Sequence, residues 1–258
     1  MPADSITWVG HATALLEIDG TRVLTDPVLR GWVGPLERTA SAPGFDASRD
    51  IDAVLISHLH ADHADIPSLR RIGRSTPVLA PRGAGEWLSR RGLVDVQELR
   101  PGDAGHVGPL RVTATEAVHD GRRRPFGPTA EAVGFVVSGS RSSVYFAGDT
   151  DLFAGMAQLS GTIDLALLPV WGWGRTLGPG HLDPARAATA LELIKPAVAV
   201  PIHWGTFALP GPLSGRDDGE RPARHFARLA GLQAPGVEVR VLMPGERTEF
   251  GTPAIRRT

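Results

Sequence analysis

Cysteine is absent from this 258-residue chain, which excludes a disulfide framework, thiol catalysis, iron–sulfur clusters and thiolate-bound zinc together. Lysine is almost absent too: Lys195 is the sole lysine among 27 basic residues, and the rest are arginine. With abundant Ala, Gly and Pro, that bias matches a GC-rich bacterial genome and carries little about function. No sign of charge dominates. The formal net charge is −1 and the isoelectric point is near 6.8, so nothing global recruits nucleic acid or an anionic membrane. Long apolar runs are missing as well; residues 165–171, among the longest, fall far short of the ~18 needed to cross a bilayer. The first ten residues lack the basic and apolar segments of a secretory leader, so a cytoplasmic location without membrane insertion is expected. Neither a G-x-G-x-x-G after the first strand nor a G-x-x-x-x-G-K is present, which removes the common nucleotide cradles. What remains is 42% hydrophobic and 21% charged, a composition that folds without staples at this length. One domain over 1–258 is expected, and self-association is left open.

Three short strands are predicted at the start, over 5–9, 12–18 and 21–26, with Asp19-Gly20 as the hairpin turn between the last two. Residues 30–50, rich in Gly, Pro, Ser and charge, read as a long surface excursion. Continuous apolar runs at 52–57, 163–169 and 197–202 read as buried strands, alternating with helices at 66–71, 84–92, roughly 151–160 and 183–194. Asp183 and Pro184 supply the cap and first position of the last of these. Strands at 77–80, 94–99, 109–118, 132–137, 143–148 and 237–242, and a helix at 221–231, complete the set. Strands first, then buried strands alternating with helices, twice over, predict an α/β fold: two facing sheets with helices outside, a four-layer αββα sandwich.

The nine histidines carry the chemistry. His58-x-His60-x-Asp62-His63 follows the buried strand at 52–57. Histidines two apart on an extended segment point the same way, so His58 and His60 can share one ion, while Asp62 and His63 lie where the chain turns and can hold a second. Without an ion, adjacent buried imidazoles and a carboxylate are costly. His119, Asp149 and His203 each stand just beyond a predicted strand's C-terminal end, the usual edge for a site in an α/β architecture. Together the seven make a dinuclear set of N and O donors, best suited to Zn²⁺, with Mn²⁺ or Fe²⁺ also compatible. Two such ions ~3.5–4 Å apart acidify a bridging water to a nucleophilic hydroxide.

These residues resemble the metallo-β-lactamase superfamily, whose signature is His-x-His-x-Asp-His with a distant His, Asp and His. Within it the sequence is similar to the branch of N-acyl-phosphatidylethanolamine phospholipase D and L-ascorbate-6-phosphate lactonase. WVGHATALLEIDG with LTDP at 8–27, DAVLISHLHADHAD at 52–65, FAGDT at 146–150, HLDPARAA at 181–188 and PIHWGTFAL at 201–209 carry that likeness. The resemblance implies a metal-dependent hydrolase of a phosphodiester, lactone or related ester of a small molecule. It implies that His58, His60 and His119 bind one ion, that Asp62, His63 and His203 bind the other, and that Asp149 bridges. Asp62 would also orient the nucleophile. His181 stands where the branch carries a histidine near substrate, a proton donor or oxyanion partner. The phospholipase's N-terminal extension has no counterpart before the shared core, so a membrane-lipid substrate is not expected.

His11 and Asp26, at the ends of N-terminal strands, are candidates for orienting ligands by hydrogen bonds. Arg122, Arg123 and Arg124, just past His119, are candidates for an anion-binding patch, which favours a phosphorylated or phosphodiester substrate. Trp171, Trp173 and Trp204, with Phe126, are candidate walls of an apolar pocket. Three alternatives stand beside the hydrolase. A nuclease of the same superfamily would want a basic surface. A diiron redox enzyme would prefer a carboxylate in place of His60. A non-catalytic metal-binding protein would have no need of all seven ligands.

Overall fold

The computed structural model describes residues 3–123, 127–174, 176–211 and 219–251, with Phe45 described by its backbone alone. In chain order the first half contains β1 (Ser5–Gly10), β2 (Thr13–Ile18), β3 (Thr21–Thr25), β4 (Trp32–Val33), β5 (Leu36–Arg38), β6 (Ala53–Leu55), α1 (Ile66–Ile72), β7 (Val78–Pro81), α2 (Gly85–Ser89) and β8 (Val96–Leu99). The second half contains β9 (Ala104–Val107), β10 (Leu110–Glu116), β11 (Val133–Ser138), β12 (Ser143–Phe146), β13 (Leu165–Pro169), α3 (Pro184–Ile194), β14 (Val198–Ile202), β15 (Phe207–Ala208), α4 (Arg221–Gln233), β16 (Glu238–Val239) and β17 (Arg247–Glu249).

Alternation decides which sheet face meets which layer. Ile6, Trp8, Ala14, Leu16 and Ile18 point into the main core, where they join Val112, Phe135, Val137 and Tyr145 of the opposite sheet. Their odd-numbered neighbours Val9 and Leu15 point outward, with Leu24, and are covered by Leu29, Ile51 and Ile72. β6 divides the same way: Ala53 and Leu55 lie in the main core, while Val54 and Ile56 pack under α1 and α2 with Leu69 and Leu88. On the other side α3 and α4 cover the second sheet through Ala187, Leu191, Ala223 and Phe226. The result is the expected αββα sandwich.

The two sheets run β17-β1-β2-β3-β6-β7-β8 and β16-β14-β13-β12-β11-β10-β9. Each is half antiparallel and half parallel: β1–β2–β3 and β9–β10–β11–β12 meander, whereas β3–β6–β7–β8 and β12–β13–β14–β16 run parallel. The turn at Asp19-Gly20, with φ of 49° and 79°, closes the β2–β3 hairpin as predicted. Asp65 caps α1 and Asp183 caps α3, each accepting from backbone N–H groups of the first turn.

Some elements differ from the sequence reading. The excursion at 30–50 holds β4 and β5, which join β15 in a separate three-stranded sheet; a Gly34-Pro35 turn folds Val33 and Leu36 onto Val28 and Phe207. Residues 104–107 form an edge strand on β10. The stretch predicted helical at 151–160 is a 3-10 segment over Ala154–Leu159. The strand predicted at 237–242 shortens to β16, and β17 returns instead to pair with β1. Among the described residues, no helix is long and apolar enough to cross a membrane.

Candidate metal centre

One edge of the sandwich gathers the chemistry-bearing residues, because the connections after successive strands all emerge there. β1 leads to His11, β3 to Asp26, β6 to His58–His63, β10 to His119, β12 to Asp149 and β14 to His203. All but His60 and His119 of this group are essentially buried. Three of the six non-glycine residues with positive φ among those described are His11, Asp26 and His203, at 55°, 32° and 64°. Left-handed backbone at such residues is held only where surrounding contacts enforce it, and it gathers at functional sites.

The hydrogen bonds fix the imidazole tautomers. His119 Nδ1 faces the carbonyl of Gly180 at 2.8 Å, and His203 Nδ1 faces that of Trp171 at 2.8 Å. A carbonyl only accepts, so both Nδ1 atoms carry the proton and both Nε2 lone pairs point inward. His63 Nδ1 donates to Asp26 Oδ2 at 2.7 Å. Ser57 Oγ gives its proton to Asp26 and therefore accepts from His58 Nδ1, 3.0 Å away. Four imidazoles are thus turned so that Nε2 faces the centre.

Those lone pairs converge at two neighbouring points. His58 Nε2 and His119 Nε2 lie 3.0 and 3.1 Å from His60 Nδ1. His63 Nε2 lies 3.2 Å from His203 Nε2, with Asp62 Oδ2 3.9 Å from it. Asp149 stands between: its Oδ2 is 3.2 Å from His63 Nε2 and 4.0 Å from His58 Nε2, and its Oδ1 is 3.2 Å from His203 Nε2. That buried Oδ1 has no hydrogen-bond partner. Converging lone pairs around an unsatisfied buried carboxylate are unfavourable in a bare protein and suit divalent cations. The donor set therefore fits one or two such ions: His58, His60 and His119 lie together on one side, and Asp62, His63 and His203, with His11, on the other.

The charge balance agrees. Burial lowers the pKa of His58, His60 and His119, bringing His60 to about 4, and lowers that of His203 to about 3. Burial also opposes charge on His63, but Asp149 and Asp26 outweigh it and raise its pKa well above the imidazole range. Burial alone would raise Asp62 and Asp149, yet His11 for the first and His203 with His63 for the second hold both well below the usual carboxylate range.

Close supports hold the ligands. His11 Nε2 meets Asp62 Oδ2 at 3.0 Å, while the His11 backbone is fixed by Thr206 Oγ1, Trp8 Nε1 and His203 N. Asp26 also accepts from Ser57 N at 2.7 Å. Gly148 has φ of +60°, and a Cβ there would stand 2.5 Å from Ser57 Cβ, so only glycine lets Asp149 approach the His58 loop.

A cleft of about 560 Å³ opens over this centre. His60, Asp62, His119, Asp149 and His181 form its base, the hairpin tip Val33–Leu36 one wall, and Trp173 with Gly178 and Pro179 the other. His181 Nδ1 faces the carbonyls of Gly178 and Pro179, and its Nε2 is 3.5 Å from Asp149 Oδ2. Burial disfavours its charge, but the Asp149 contact raises its pKa above the ordinary value.

Arg122, Arg123 and two of the tryptophans do not sit where the sequence reading puts them. Arg123 Nη1 donates to the carbonyls of Leu59 and Ala64 at 2.7 and 3.1 Å, and its guanidinium covers the Trp87 ring at 4.5 Å. It braces the ligand loop from behind and does not face the cleft. Arg122 is exposed in a short bridge to Thr129 and does not line the cleft either. Arg124 and Phe126 lie outside the described residues. Trp204 is 2% exposed, lies 4.7 Å from Trp8 and bonds to Pro201 O; it is core, packed beside Trp8 just past the end of β14. Trp171 ties its Nε1 to Gly174 O and lines a neighbouring cavity. Trp173 alone of the three reaches the cleft. The wall Val33–Leu36 has no metal-type residue to betray it; a Gly-Pro turn between two apolar residues is its one sequence signal.

Known proteins resemble the chain in both sequence and fold. Residues 21–204 match the β-lactamase superfamily domain model. A metal-dependent hydrolase of Methanopyrus kandleri is 36% identical over 95% of this chain and 99% of its own length. An N-acyl-phosphatidylethanolamine-hydrolyzing phospholipase D of Caenorhabditis elegans is 27% identical over 79% of this chain and 64% of its own. Among solved structures, a metallo hydrolase of Ignicoccus hospitalis superposes with a TM-score of 0.75 at 24% identity, covering 98% of this chain and 100% of that one. The β-hydroxylase CmlA of Streptomyces venezuelae, a diiron enzyme, shares the fold at a TM-score of 0.72 and 23% identity, over 96% of this chain and 55% of its own. With the family model matched over residues 21–204 and a relative of 36% identity covered almost end to end, the protein belongs to the β-lactamase superfamily, among its metal-dependent hydrolases.

Proposed function

We propose that the protein hydrolyses an uncharged carboxylic ester or lactone of a small molecule in the cleft above the His58–His63 loop. In this reading His58, His60 and His119 hold one divalent ion, Asp62, His63 and His203 hold a second, and Asp149 is shared. Zn²⁺ suits the donors best, with Mn²⁺ or Fe²⁺ as alternatives. Bound there, such ions supply an acidified water as nucleophile and polarise the scissile carbonyl.

The chain's own residues supply the rest. Asp26 keeps the proton on His63 Nδ1, and His11 keeps Asp62 turned inward, so ligand geometry is set before substrate arrives. Asp62 reaches the cleft floor and can orient the attacking water by accepting its hydrogen bond. His181, held by two carbonyls at Nδ1, presents a proton at Nε2 to the developing oxyanion or leaving oxygen.

One observation supports the ester over a phosphorylated substrate. Among the described residues lining the cleft, the only groups that can carry positive charge are histidines, and Asp62, Asp120 and Asp149 are present. A phosphate held away from the ions draws on charge-assisted, usually arginine, contacts. Likeness to the phospholipase favours a phosphodiester as second reading. Turnover of metal-loaded protein on matched panels of esters, lactones and phosphodiesters decides between them. Esters and lactones should be hydrolysed at least tenfold more efficiently; the reverse order overturns the proposal.

A further inference from the structure

We propose that the β4–β5 hairpin tip and Trp173 form a wall for an aliphatic chain on the substrate, so that chain length governs specificity. The inference rests on the ester reading above and extends it to the non-reacting part of the molecule.

The wall is apolar and rigid. Val33 and Leu36 are buried on Val28 and Phe207 and so hold the exposed Gly34-Pro35 turn rigidly in the cleft lining. Trp173, in the same lining, leaves 39% of its surface exposed. The Trp171–Gly174 bond closes the turn that presents it. Placed in the cleft lining, the partly exposed indole offers a broad apolar face to a ligand. The Pro35 ring, which has no N–H, and the face of the Trp173 ring offer no hydrogen bond, so a polar tail between them would lose its water without replacement. An aliphatic acyl or alkyl chain meets no such penalty.

The test pairs turnover with binding. With metal-loaded protein, kcat/KM is measured on aryl esters from acetyl to octanoyl, and calorimetry follows acetate, butyrate, hexanoate and octanoate. Both series should improve about two- to fourfold per methylene until the wall is filled, with a negative heat-capacity change on octanoate binding. Trp173→Ala combined with Pro35→Asp should cut the octanoyl-to-acetyl ratio at least tenfold at unchanged metal content. Leu232→Ser, exposed on α4, should keep the ratio. Esters hydrolysed at rates independent of chain length would overturn the wall and leave the ester reading standing. Octanoate binding tightly through Trp173 with no ester or lactone hydrolysed would uphold the wall and overturn that reading. Preference for a succinyl over a hexanoyl ester would overturn the wall as well.

Discussion

Replacing Arg123 with alanine separates a brace from a substrate contact. Its guanidinium supports both ends of the ligand loop, at the buried Leu59 and Ala64. Each bond from a charged donor contributes ~1.5–3 kcal/mol when buried, and the half-exposed position calls for a discount toward the lower value. The stacked Trp87 adds ~0.5–1 kcal/mol, so the substitution should cost about 2–4 kcal/mol. At ~2–4 °C per kcal/mol for a chain of this size, the melting temperature should fall by roughly 5–15 °C. Loss of the brace should weaken metal binding ~10–100-fold, as for other residues that orient ligands indirectly. Arg123→Lys should recover only part, because an ammonium lacks the planar guanidinium that covers the Trp87 ring. Thermal denaturation and chelator competition read both effects. Wild-type values for both, or a defect confined to KM for phosphorylated substrates, would refute the reasoning and restore Arg123 to the substrate.

The remaining predictions concern the centre itself. Gly148→Ala drives a Cβ against Ser57 at a left-handed backbone position, and should cost at least ~2 kcal/mol with loss of metal, seen by denaturation and elemental analysis. His11→Ala and Asp26→Asn should each leave a folded protein whose metal affinity or rate drops ~10–100-fold; unchanged affinity in both would show that Asp62 and His63 need no orienting partner. Metal-free protein should lose stability as pH falls below about 6.5, the free-histidine value. His58, His60, His119 and His203 have lowered pKa values and stay neutral when folded, down to about 4 for His60 and about 3 for His203, while the unfolded chain takes up their protons. His63 and His181 have raised values, so their contribution is fully present below 6.5 and is lost as pH rises through the folded pKa. Urea titrations from pH 4 to 8 should therefore show a maximum near 6.5 with a steeper acid limb.

Much of the architecture was legible because burial follows period. The runs at 52–57, 163–169 and 197–202 had to be interior strands, and the ligand-type residues following them had to share an edge. The Asp183-Pro184 cap and the Asp19-Gly20 turn were local signals that tertiary context left alone. The misses have a common physical origin. β4, β5, β9 and β17 are two to four residues long, too short for periodicity to register, and they are fixed by partners distant in sequence. The cleft wall Val33–Leu36 was hidden for that reason. Charge and aromaticity were poor guides at the same resolution: Arg123 spends its donors on backbone carbonyls and Trp204 fills the core, and neither outcome is written in residue type. The orienting roles open to His11 and Asp26 were visible only as strand-end positions; their bonds to Asp62 and His63 depend on the fold bringing residues 51 and 37 positions apart together.

Metal stoichiometry in wild type and Asp149→Ala tests the central claim most directly. Protein expressed with supplemented zinc or manganese, desalted and measured by plasma mass spectrometry, should carry close to two divalent ions per chain. Asp149→Ala removes the one carboxylate placed between both groups of imidazoles, and should carry one ion or fewer while remaining folded by circular dichroism. No metal above background in the wild type, or two ions retained in the variant, would contradict a shared dinuclear centre.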